Sequence, residues 1–138
     1  MSYKNILLAL CGRGDEGDVI RKAMELKDQL DAELTVIHVN DLHAGEMSMM
    51  MDAPHKFTED EIRDRFVANG FEAVAKGLDI KIVKDENISK AIATFTENAD
   101  LLILGHRKQN SFKEHFFDSV DEGIVNHANC PVMVVPKD

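Results

Sequence analysis

Lys4-Asn5-Ile6-Leu7-Leu8-Ala9-Leu10-Cys11 carries a continuous apolar run into a glycine-rich turn. A strand with one wet face would alternate; an unbroken run is what a strand covered on both faces looks like, as in a parallel sheet. Downstream of the Gly12–Gly17 turn, Val19, Ala23, Leu26 and Leu30 recur at spacings of four, three and four, which predicts an amphipathic helix. Glu33-Leu34-Thr35-Val36-Ile37-His38-Val39 then reads as a second strand, rich in β-branched residues. One strand, one helix and one strand already make a βαβ unit.

The remainder continues the alternation. Periodicity lapses from about Asn40 to Lys56, a long loop. Thr58-Glu59-Asp60-Glu61 has capping-box spacing and predicts a second helix with the stripe Val67, Phe71, Val74 and Leu78, Gly70 lying inside it at a cost of about 1 kcal/mol against alanine. Asp79 to Val83 alternates like an edge strand. Asn87 caps a third predicted helix with the stripe Ile88, Ile92, Phe95 and Ala99. Leu101-Leu102-Ile103-Leu104-Gly105 is a buried strand, Ser119 to Ala128 a fourth helix, and Val132-Met133-Val134-Val135 a last strand ending before Pro136. Five strands and four helices in alternation, with no repeat and no linker, predict one α/β domain over residues 1–138: a doubly wound, Rossmann-like parallel sheet with right-handed crossovers. Ligands of such sheets sit beyond the carboxyl ends of the strands, which directs attention to Leu10-Cys11-Gly12, Val39-Asn40-Asp41 and Gly105-His106-Arg107.

Composition narrows the function classes. The chain has 138 residues, 44% hydrophobic and 30% charged, enough to bury roughly 68% of its unfolded surface in one core. A formal charge of −9 opposes nucleic acid or an anionic membrane as partner. No apolar run reaches the roughly 18 residues of a membrane span, and Met1-Ser2-Tyr3-Lys4 does not read as a signal peptide, so a cytoplasmic location is expected.

Gly12-Arg13-Gly14-Asp15-Glu16-Gly17 spells G-x-G-x-x-G between a strand and a helix, the dinucleotide fingerprint. Asp15 and Glu16 argue against that reading, since a carboxylate 4 Å from a phosphate charge is repelled by about 4 kcal/mol at an effective dielectric near 20. Asp41, the acidic residue after the second strand, also lies well beyond the roughly 20-residue spacing of the ribose carboxylate. An acidic turn feeding a helix N-terminus, where Asp15, Glu16 and Asp18 suit the dipole, is the preferred reading.

The final third resembles the universal stress protein family. Ala99-Asp100-Leu101-Leu102-Ile103-Leu104-Gly105-His106-Arg107 is similar to its fourth strand and the opening of its phosphate loop. Asp118-Ser119-Val120 and His127-Ala128-Asn129-Cys130-Pro131-Val132-Met133-Val134-Val135-Pro136 resemble its closing helix and strand. Ala32 to Val39 and Lys4 to Gly12 resemble its second and first strands, so only the methionine-rich loop falls outside the match. The resemblance implies the strand order 3-2-1-4-5 and a homodimer paired through the last strand, Val132, Met133, Val134 and Val135. Such pairing suits a short apolar edge, which is an aggregation hazard unless covered and closes when joined to its own copy across a two-fold axis.

Within the family, ATP binders resemble G-x-x-G, nine residues, then G and S or T, with an aspartate ending the first strand. Gly105 and Ser119 fit the outer positions. Lys108 stands in place of the second glycine, Asp118 in place of the third and Cys11 in place of the aspartate. A lysine side chain obstructs the close backbone approach to phosphate, although its charge could compensate. Asp118 repels phosphate, and a thiol is a weak acceptor where a carboxylate would hold the nucleoside. The resemblance therefore implies the branch that does not bind ATP, with a degenerate nucleotide site at Leu10, Cys11, Val39, Gly105, His106, Lys108, Ser119 and Val120. The bland alternatives stay open: Ser119 with Glu122 forms a capping box, Arg107 and Lys108 suit a solvated loop, His106 needs no ligand, His38 suits a core, and Gly105 serves close chain approach.

Four methionines between His43 and His55 (Met47, Met49, Met50 and Met51) would suit a soft monovalent metal, but an adaptable loop for dimer packing or partner contact is the preferred reading. Cys11 and Cys130 fall at opposite strand ends across the implied sheet and read as free thiols. No nucleophile–base pair, elbow or zincin spacing occurs, so no catalytic residue and no resident metal are assigned. The expectation is a stress-response protein that acts by binding, without a cofactor and with a protein partner besides its own copy. The alternatives are an ATP-dependent switch with at most slow hydrolysis and, third, a soft-metal binder.

Overall fold

The computed structural model of the chain describes residues 3–45, 55–107 and 119–137. Its elements are β1 (Asn5–Ala9), α1 (Gly17–Leu30), β2 (Glu33–Asn40), α2 (Glu59–Ala68), α3 (Glu72–Ala75), β3 (Asp79–Lys84), α4 (Ile88–Phe95), a 3-10 turn (Thr96–Asn98), β4 (Leu101–Arg107), α5 (Ser119–His127) and β5 (Val132–Lys137). The five strands form one sheet in the order β3-β2-β1-β4-β5, every pairing parallel. This is the expected doubly wound, Rossmann-like architecture.

β1 is central, with Ile6 opposite Leu34 on one side and Leu101 on the other. Ile6, Leu8 and Leu10 face one core with Val36, Ile103 and the buried residues of α1 and α2. Leu7 and Ala9 face a second core with Ile37, Leu102, Ala91, Ile92 and Ile124. Two covered faces are the reason the run carries no polar alternation.

Four expectations are corrected. The buried face of α1 is Val19, Ile20, Ala23 and Met24, while Leu30, the last residue of the helix, is 40% exposed. The second predicted helix is two: α2 ends at Ala68, and its buried residues are Ile62 and Phe66, with Val67 exposed. Gly70 is the left-handed residue of a Schellman cap (φ +90), its N–H donating to Val67 O at 3.0 Å and that of Phe71 to Phe66 O at 2.9 Å. It therefore terminates a helix instead of weakening one, and Ala99 likewise lies past the end of α4. Finally, β5 runs through Pro136 to Lys137, since Pro136 pairs with His106 on an edge strand that can spare the proline's missing donor.

The caps predicted at Thr58 and Asn87 form. Thr58 and Glu61 make a reciprocal capping box, and the Asn87 side chain accepts from Lys90 N at 3.0 Å.

Candidate functional site

The carboxyl ends of β1, β2, β4 and β5 form a rim built from loops and four elements. At its centre the chain turns at Leu10-Cys11-Gly12. Leu10 is buried and donates to Ile37 O, continuing the ladder one residue past β1. Beyond it the backbone leaves the sheet, and two N–H groups have no strand partner. Glu16 supplies one: Oε2 accepts from Cys11 N and Oε1 from Gly12 N, each at 2.9 Å. The Glu16 side chain is almost fully buried, and burial pushes its carboxyl above the usual carboxylate range despite those two bonds and the nearby Lys137 charge.

Lys137 reaches this group from the end of β5. Its stem passes over Gly105, where a Cβ would stand 3.2 Å from Lys137 Cδ and 2.7 Å from Val19 Cγ2. Close approach, the bland reading of Gly105, is thus a physical requirement here. Nζ lies 3.5 Å from Asp15 Oδ1 and 3.9 Å from Glu16 Oε2, with Lys137 only 6% exposed. In the G-x-G-x-x-G stretch, the N–H of Gly12 and that of Cys11 just before it are bonded by the loop's own Glu16 carboxylate.

On the β2 side, Phe57 covers the turn. Its ring lies 2.8 Å from where a Cβ on Gly12 would stand, at a φ of +88 that favours glycine anyway. Asn40, nearly buried at the end of β2, holds Phe57 by its backbone: Nδ2 donates to Phe57 O at 2.9 Å and Phe57 N donates to Oδ1 at 3.0 Å. His38 packs edge-on to Phe57 with ring centroids 4.9 Å apart. Its Nδ1 lies 2.8 Å from Leu10 O and its Nε2 3.1 Å from Asn40 Oδ1, so each ring nitrogen faces an oxygen within the core. Arg65 of α2 closes the turn, Nε donating to Gly12 O at 2.9 Å.

The residues named for a nucleotide site are brought together in part. Leu10 and Val39 are buried at adjacent strand ends, and Cys11 is exposed beside them. Gly105 and His106 are half-buried near the end of β4. Val120, in the first turn of α5, packs against the second core. Ser119 opens α5, but its proposed capping pair with Glu122, together with Lys108, Asp118 and the methionines of the long loop, lies outside the described residues or side chains. The sequence points to Asn40 as a strand end and to Glu16 as an acid at a helix start, but not to the bonds they make here, and it does not point to Phe57 or Lys137. Their signal in the sequence is faint: polar residues just past strand ends, with partners in distant loops.

Cys11 and Cys130 form no disulfide with each other, and burial pushes the Cys130 thiol up. Among the described residues no group of three His, Cys, Asp or Glu could hold a metal, and no helix is long and apolar enough to cross a membrane. A surface hollow of about 470 Å³, lined by Tyr3, Lys4, Asn5, Leu30, Asp31 and Glu33, lies at the opposite end of the sheet, away from the strand ends where such folds place ligands.

Comparison with known proteins now places this geometry. The model of the universal stress protein family matches residues 2–136. A putative universal stress protein of Staphylococcus aureus (strain USA300) is 30% identical over 143 residues, spanning 98% of this chain and 85% of its own. The structure of the universal stress protein UspA from Lactobacillus plantarum has a TM-score of 0.70 at 25% identity, covering 98% of this chain and 99% of that one. A universal stress protein solved in complex with cAMP has a TM-score of 0.68 at 15% identity over 100% of both chains, a likeness of fold. With the family model matched from end to end of the sheet, this chain belongs to the universal stress protein family.

Proposed function

We propose that this universal stress protein acts by binding rather than catalysis, as a cytoplasmic homodimer paired through β5, in the branch of the family that does not hold ATP. The observation that carries the reading is the state of the turn after β1. Position 11 offers a thiol where a nucleoside would need a carboxylate, and the adjacent N–H groups are bonded to Glu16. The Phe57 ring lies over the same turn. Dimerisation through Val132, Met133, Val134 and Val135 is supported by the position of β5 at the sheet edge.

A second reading, an ATP-dependent switch, is favoured by the cAMP held by one neighbour in fold. There the degenerate positions Lys108, Ser119 and Val120 would serve the phosphates from the α5 side. Calorimetric titration of the purified protein with ATP and magnesium separates the two. Silence at millimolar ATP supports the first, and a dissociation constant tighter than about 100 μM, roughly 5.5 kcal/mol of binding, overturns it. Sedimentation of Val134→Asp against the parent tests the dimer: a monomer is expected, and an unchanged dimer rejects pairing through β5.

A further inference from the structure

Three donors converge on one buried point at the rim. The N–H groups of Cys11 and Gly12 aim at separate oxygens of Glu16, and the Lys137 ammonium stands 3.9 Å from one of them. Two successive backbone N–H groups beside a buried cation are the donor set with which proteins hold phosphate oxygens. Here a carboxylate of the same chain fills that set. We propose that this cradle is an anion site, fitted to inorganic phosphate or a terminal phosphoryl group, that Glu16 holds closed as an intramolecular competitor.

Three features make the plug displaceable. Glu16 sits in the Gly12–Gly17 loop, where a Cβ on Gly14 would meet nothing within 4 Å, so the loop is not packed against the sheet at that point. The buried position disfavours the charged carboxylate, since desolvation outweighs the bonds it receives. Lys137 does not depend on Glu16 for a counter-charge, because Asp15 Oδ1 is nearer, at 3.5 Å. The same Asp15 is a negative charge beside the cradle and sets a limit on its affinity. The inference shares the turn after β1 with the function proposed above, whereas Gly105 and Ser119, the fitting positions of the ATP pattern, belong to β4 and α5.

The test uses the full chain as wild type, Glu16→Ala and Glu16→Ala/Lys137→Met. Inorganic phosphate is titrated against sodium chloride at equal ionic strength, reading the amide shifts of Cys11 and Gly12 and the melting temperature. Removing the plug is expected to give saturable shifts at both amides with a dissociation constant of about 1–10 mM, at least ~10-fold tighter than wild type. The double variant should lose about 10-fold of that gain. Equal responses of wild type and Glu16→Ala, or a folded Glu16→Ala with no shift by about 100 mM phosphate, overturn the proposal. Should Glu16→Ala be unfolded in chloride, refolding in phosphate beyond the general salting effect measured on Thr58→Ala supports it, and failure to refold rejects it. ATP run in parallel separates a terminal phosphoryl from free phosphate. ATP bound by wild type with the Cys11 and Gly12 amides unmoved would end the function proposed above and leave this inference intact.

Discussion

Replacing Asn40 with alanine removes the clamp that fixes the long β2–α2 connection onto the sheet. Three contacts go: Nδ2 to Phe57 O, Phe57 N to Oδ1, and Oδ1 with His38 Nε2. Asn40 is only 4% exposed, so water cannot simply take its place beside His38. Counting about 1 kcal/mol net for each of the two bonds to Phe57, the loss is roughly 2 kcal/mol. For a chain of this length that lowers the melting temperature by roughly 6–10 °C. Urea unfolding should show a lower midpoint at unchanged slope, because the surface exposed on unfolding stays the same. Amide exchange at Phe57 should accelerate toward that of an open loop, well ahead of the sheet amides. Asn40→Leu separates hydrogen bonding from space filling: it keeps the volume and loses every bond, so it should be at least as unstable as alanine. A leucine variant with wild-type stability, or an alanine variant within about 0.5 kcal/mol of the parent and with Phe57 still protected, would refute the clamp.

Gly105→Ala should destabilise by about 1–3 kcal/mol in thermal unfolding, because its Cβ would stand 2.7 Å from Val19 Cγ2 on a packed helix. Thr58→Ala should cost about 1 kcal/mol by opening the capping box, and Glu61→Ala should reproduce part of that loss. Two carboxylates should act on stability with opposite signs across the acid range. The Glu16 carboxyl is raised by burial, so its contribution is full below the ordinary carboxylate range near 4.5 and is lost as pH rises through the folded value. The stability of wild type relative to Glu16→Gln should fall along that rise. Glu61 is held below 4.5, first by its hydrogen bond with His55, so its contribution is present above 4.5 and disappears as pH drops through the folded value. Urea midpoints between pH 3 and 7 check both slopes, and parallel slopes for the two variants would contradict the assignment.

What could be read from residues alone follows from what kind of interaction makes each feature. Strands β1 and β4 are visible because a both-sided core forces an apolar run, and Thr58–Glu61 and Asn87 because a cap is a local chemical pattern. Gly70 shows where local reading fails. A glycine inside a helical stripe and a glycine ending a helix are the same letter, and only the return bonds to Val67 and Phe66 tell them apart. β5 was cut short at Pro136 because a proline looks like a stop, whereas an edge strand tolerates it. At the site, the strand ends, Asn40 among them, are legible from topology, but the contacts of Glu16, Asn40 and Lys137 are not. Their partners are backbone groups or charges brought close by tertiary folding, and Lys137 is 121 residues from Glu16 in a chain whose periodicity carries no record of that meeting.

A parallel sheet leaves a particular debt at its carboxyl ends: the first N–H groups beyond the central strand have lost their ladder partners while still near a core. Open α/β folds meet it with an anionic ligand, and the G-x-G-x-x-G turn is the familiar form of that solution. This chain keeps the glycines but meets the need internally, with Glu16 on the N–H groups, Arg65 on the Gly12 carbonyl and Phe57 over the turn. The turn's shape is thus held by the chain's own residues. The same arrangement means that affinity for a phosphate must be won against a group already in place, with the effective concentration of a tethered side chain. Stability of the free protein and closure of the site are therefore two effects of the same residues, so variants at Glu16 should trade one against the other, whereas variants at Thr58, on the far side of Phe57, should change stability alone.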